Sequence, residues 1–211
     1  MSLIPTKILP PGYQPWRTLS LLDRKNLLLV NIWGLVIFFA SAVFYPRVAG
    51  WLSSSGDVGA GIAMTGLSGA GGFLIMLLAV TAVMLLVHEG LHGFFFWYFT
   101  RERPKFAFKV FYAYAALPDW YLPRRQYLIS ALAPLVGITF LGVLGLALLP
   151  GWADPPLIWL LVLNTSGAVG DLWVALALLR APAGVLGKDS GDSSELFVPI
   201  HSLGSNDSSL S

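Results

Sequence analysis

Four stretches of this chain are long and apolar enough to cross a bilayer as helices: Leu27–Tyr45, Gly72–Phe99, Gln126–Leu149 and Leu157–Leu179. A helical span needs about 20 mostly apolar residues. Composition agrees, because 56% of the 211 residues are hydrophobic and only 11% are charged, against about 25% charged in an ordinary soluble domain. The expectation is an all-α integral membrane protein with about four transmembrane helices and a short β-hairpin or strand segment between the second and third. The first stretch is preceded by more than 20 polar-rich residues, too many for the n-region of a cleaved signal peptide, so it is expected to stay as an anchor.

The basic residues suggest an orientation. Lys7, Arg17, Arg24 and Lys25 precede the first span, and Arg101, Arg103, Lys105, Lys109, Arg124 and Arg125 lie between the second and third. Arg180 and Lys188 follow the fourth, whereas the other two connections hold only Arg47, with Asp57 and Asp154. Both termini and the central loop are therefore expected in the cytoplasm, and the chain in a prokaryotic cell membrane. The organisation that follows is a cytoplasmic N-terminal segment (1–26), a four-span membrane domain (27–187) and a polar, mostly disordered tail (188–211).

The connections differ in character. Segment 46–71 is rich in Gly and Ser and reads as a flexible outer loop; PGWADPP at 150–156 reads as a tight turn. KFAFKVFYAYA at 105–115 alternates Phe106, Phe108, Val110, Tyr112 and Tyr114 with smaller or charged residues, between Pro104 and Pro118. That is a strand pattern, either a substrate-pairing edge or an interfacial aromatic anchor. ELFVPI at 195–200 allows one short strand in the tail. No internal repeat is evident.

Within the second span, residues 87–93 read VHEGLHG. Two of the chain's three histidines and a glutamate thus sit where lipid is expected, at a cost of at least a few kcal/mol each unless partnered. With no cysteine in the sequence, a metal would have to be held by His, Asp or Glu. On a helix, His88 and His92 share one face with Cβ atoms ~5–6 Å apart, close enough to bind one ion. Glu89 is badly placed as a third ligand but suits a general base, the usual reading of H-E-x-x-H. The blander alternative is a pair of packing histidines satisfied by neighbouring polar groups. Gly90 and Gly93 keep the helix narrow, for close approach of another segment or for packing alone.

A catalytic zinc needs a third protein ligand and an open position. Asp171, the carboxylate deep in the fourth span, is the better candidate; His201 lies in the polar tail. Asp171 could instead hydrogen-bond within the bundle or pair with Arg180. Asn164, seven residues earlier, falls on the same face of a continuous helix and is a candidate for contacting substrate or an oxyanion, or for packing. Pro134 is expected to kink the third span, opening a route for water or merely packing.

The H-E-x-x-H, the aromatic segment, the span SALAPLVG at 130–137 and LNTSGAVGDLW at 163–173 together resemble the zincin membrane peptidases. These are a domain-of-unknown-function family similar in plan to the site-2 proteases, and the likeness covers roughly residues 72–199. In site-2 proteases a proline-rich run ends in Asp-Gly; here the order is Gly170-Asp171 without a nearby proline. The resemblance implies one zinc ion held by His88, His92 and Asp171, Glu89 as general base, and membrane proteins or peptides in the bilayer as substrates. The competing class is a non-catalytic metal-binding or transport protein using the same ligands. No nucleic-acid partner is expected, and the sequence does not set an oligomeric state.

Overall fold

The computed structural model describes residues 4–52, 66–108 and 113–200. Strand β1 (Tyr13–Ser20) leads into α1 (Arg24–Leu52), which begins where the Asp23 carboxylate accepts the Lys25 N–H, the usual role of an N-capping side chain. Then follow α2 (Gly66–Thr100), β2 (Lys105–Phe108), β3 (Ala113–Pro123), α3 (Arg124–Leu148), a short 3-10 turn (Gly151–Ala153), α4 (Asp154–Gly167), α5 (Val169–Arg180), β4 (Leu186–Asp189) and β5 (Ser193–Pro199). The 46–71 segment expected as a loop is helical at both ends, as the close of α1 and the start of α2; its centre lies outside the described residues.

Helices α1, α2 and α3 are each long and apolar enough to cross a membrane. Helices α4 and α5 reach that standard only together, across a 45° bend, so the described residues hold three helices of that length and apolarity, or up to four if the bent pair is one span. Large apolar side chains point outward along them, with Phe39, Leu78 and Phe140 all more than 60% exposed, as lipid-facing surfaces would be. The expected fourth span is therefore a broken helix. Its ladder ends at Ala168, whose ψ of 8° leaves the α-helical range while its N–H still reaches the Asn164 carbonyl. The break puts Asp171 in the first turn of α5, where the helix dipole favours a carboxylate.

The chain divides into two compact units. The division falls inside α2 between His88 and Glu89, consecutive residues of one continuous helix, and inside α3 before Pro134. One unit comprises residues 30–88 and 134–169. Its core gathers Tyr45, Ala49, Leu146, Leu161 and Val162, and the Tyr45 hydroxyl lies 2.8 Å from Thr165 Oγ1. The Gly142 and Gly145 positions allow Leu161 and Leu157 to pack directly on α3, since a Cβ at Gly142 would lie 2.6 Å from Leu161 Cδ2.

The other unit, residues 1–29, 89–133 and 170–211, holds an antiparallel sheet of order β1-β5-β4-β3-β2. The all-α expectation is thereby corrected: the hairpin between the second and third spans belongs to a five-stranded sheet. The N-terminal segment and the tail close that sheet, with Tyr13 opposite Pro199 and Ser20 opposite Ser193. The tail expected to be mostly disordered is thus ordered through Pro199. Its apolar alternates, Leu196 and Val198, are buried with Leu19, Leu117, Leu122, Phe96 and Leu178, and that burial offsets the entropy of ordering. Pairing of β3 with β4 is interrupted between Leu117 and Leu122, where Pro118 cannot donate to the ladder.

Candidate metal centre

The H-E-x-x-H lies on α2, which holds no proline and runs on through Gly90 and Gly93, so its four-residue spacing is realised as two imidazoles on adjacent turns of one face. His88, His92 and Asp171 each offer a ligand atom, and those atoms lie within 4.8 Å of one another. His92 Nε2 stands 3.4 Å from Asp171 Oδ1. Both histidines are buried, while Asp171 is partly accessible. The expected pairing of Asp171 with the histidines is present in the geometry; His201 lies outside the described residues.

Each imidazole is anchored through its other nitrogen. His88 Nδ1 lies 3.1 Å from Asn164 Oδ1, and Asn164 Nδ2 donates to the Pro134 carbonyl at 3.4 Å. That second contact fixes the amide, because flipping it would set its oxygen against the carbonyl. Oδ1 is an acceptor, so His88 carries its proton on Nδ1. His92 Nδ1 lies 2.8 Å from the Ser130 carbonyl oxygen, again an acceptor, so it too is the donor. Both rings therefore keep the Nε2 lone pair for a cation when neutral, the arrangement that outer hydrogen bonds enforce in metal sites. Asn164, fully buried, thus has contacts at both ends of its amide.

Glu89, next to His88 on the helix, has a partner in the sheet. Its Oε2 accepts the Ala115 N–H at 2.8 Å. Strand β3 makes this possible by running past the end of β4. Residues 113–116 pair with β2 on one side, whereas pairing with β4 is confined to Leu117–Pro123. Gly93, one turn after Glu89, brings the hairpin close: a Cβ there would lie 2.4 Å from the Phe106 ring. Gly90 faces open space, so close approach explains only one of the two glycines.

A second polar group in this unit braces the sheet. The Tyr127 hydroxyl donates to Asp189 Oδ2 at 2.9 Å and lies 2.8 Å from Ser194 Oγ. Burial pushes the Asp189 carboxyl above its ordinary range, against the hydrogen bonds it accepts from Gly191 and Tyr127. Nearby, the Arg124 guanidinium donates to the carbonyls of Ala181 and Pro182, just beyond α5, where a cation complements the helix dipole.

The sequence gives direct signals for His88, Glu89, His92 and Asp171, and none for the backbone partners. The Ser130 carbonyl and the Ala115 N–H belong to residues whose side chains play no part in these contacts. Two imidazoles and a carboxylate, with no thiolate, suit zinc, which accepts N and O ligands at a site with one position open; the Nδ1 anchors leave the donor atoms preset for it.

Residues 81–186 match a family model described as "Putative zincin peptidase". No curated protein and no solved structure matches the chain. The matched segment runs from within α2, through both histidines and Asp171, to the first residue of β4, and it covers half of the sequence. With its H-E-x-x-H and Asp171 inside that segment, the chain belongs to the zincin peptidase family so described.

Proposed function

We propose that this chain is a zinc-dependent, membrane-embedded peptidase that hydrolyses peptide bonds of membrane proteins near the cytoplasmic side. The observation that carries this reading is the clustering of His88, His92 and Asp171, with Glu89 beside them in sequence. Long apolar helices support the membrane setting, and the basic residues flanking α2 and α3 support a cytoplasmic location for the sheet-bearing unit.

Zinc, when bound, would supply Lewis acidity, lowering the pKa of water and polarising the scissile carbonyl. His88, His92 and Asp171 would hold it. Glu89, steadied through Oε2 by the Ala115 N–H, takes a proton from the attacking water and delivers it to the leaving amine nitrogen. We assign Asn164 to orienting His88, in place of a substrate or oxyanion contact, because both ends of its amide are engaged by His88 and Pro134. A transmembrane helix must unwind before its carbonyl can be attacked. Strand β2, at the end of the sheet, offers an edge along which an extended segment would pair.

Replacing Glu89 with Gln tests the reading. The variant should bind zinc as the wild type does and cleave single-span membrane proteins about 10²–10⁴-fold more slowly. Unchanged cleavage would remove the peptidase reading. Bound zinc without cleavage by the wild type would favour the alternative, a metal-binding or transport protein.

A further inference from the structure

In a regular helix the carbonyl of residue i accepts the N–H of residue i+4. For the Ser130 carbonyl of α3 that position is Pro134, which has no N–H to give. The oxygen left over is the one that lies 2.8 Å from His92 Nδ1. The Ser130 side chain is not the partner, since its hydroxyl donates to the Gln126 carbonyl. The same proline contributes its own carbonyl to Asn164 Nδ2, whose Oδ1 holds His88. Both histidines of the H-E-x-x-H are thus referred to a single turn of α3, and both routes pass through residue 134.

We propose that Pro134 is a positioning residue for the metal centre: its missing amide hydrogen reserves the Ser130 carbonyl for His92. An N–H at residue 134 would compete for that oxygen along the helix ladder. His92 would then lose the bond that holds its proton on Nδ1 and presents Nε2 to the cation. The inference rests on the zinc reading above. It differs from a role in kinking the helix, because it depends on one absent hydrogen and not on the shape of the pyrrolidine ring.

The test uses the full chain in detergent, with zinc affinity measured by competition against a chromogenic chelator. Three forms are compared: wild type, Pro134→Ala, and a form carrying lactic acid at position 134, which replaces the amide by an ester. The ester lacks both the ring and the N–H. Pro134→Ala should weaken zinc binding by about 10–100-fold, the usual effect of losing an outer partner. Thermal unfolding of its metal-free form should show equal or greater stability, because alanine favours a helix more than proline does. The ester form should bind zinc nearly as the wild type does. Wild-type affinity in Pro134→Ala overturns the proposal, and so does equal weakening in the alanine and ester forms, which would assign the effect to the ring. If Pro134→Ala does not fold, the ester form decides alone: wild-type affinity supports the proposal and weak binding overturns it. A wild type that binds no zinc would instead overturn the metal reading itself, and this inference with it.

Discussion

The side-chain amide of Asn164 meets the Nδ1 of His88 at 3.1 Å, and so determines which ring nitrogen that histidine can present to a cation. Asn164→Ala removes this acceptor from a buried imidazole. We expect zinc affinity to fall about 10–100-fold and stability to drop by about 1–3 kcal/mol. Chelator competition and thermal unfolding in detergent read the two effects separately. Asn164→Asp, which keeps an acceptor, should retain more affinity than the alanine variant.

Gly187 of β4 permits close packing against Tyr127. A Cβ there would lie 2.0 Å from the Tyr127 ring. That ring has little freedom to yield, because Tyr127 is buried and its hydroxyl is tied to Asp189 and Ser194. Gly187→Ala should therefore destabilise the fold by about 1–3 kcal/mol through overpacking. The shift in unfolding midpoint measures it, and Tyr127→Phe combined with Gly187→Ala should not rescue the loss, since the clash is with the ring carbons.

Asp189 makes stability depend on pH. Its carboxyl is raised above the ordinary value of 3.8 by burial, so the folded chain binds that proton more tightly than the unfolded chain does. The contribution is fully present below pH 3.8 and is lost as pH rises through the folded value. Asp189→Asn removes that dependence. The difference in unfolding midpoint between wild type and variant, followed from acid to neutral pH, should shift in favour of the variant as pH rises. A constant difference would show that the carboxyl does not titrate differently on folding.

The sequence makes legible what side chains announce locally. The long apolar stretches define α1, α2 and α3 to within a few residues at most ends, and H-E-x-x-H needs only a helix to bring its histidines onto one face. The sheet is harder to read because its pairings are long-range: β1 meets β5 from opposite ends of the chain. In the tail ELFVPI is legible as a short strand, but the Ser- and Asp-rich average around it conceals that β4 and β5 join the sheet. The bend at Ala168 also escapes a reading by apolar content, since both flanks are equally apolar. It removes the continuous helical face assumed for Asn164 and Asp171 and gives them separate helices. Backbone partners such as the Ser130 carbonyl leave no side-chain signature; the proline four residues later is the one visible trace.

Bound metal, quantified by elemental analysis of the purified chain in detergent, tests the central claim most directly. The account predicts one zinc per wild-type chain, no more than a small fraction of that after Asp171→Asn or His92→Ala, and full occupancy in Glu89→Gln. A wild-type chain that takes up no zinc, or an Asp171→Asn chain that retains it fully, would contradict the account.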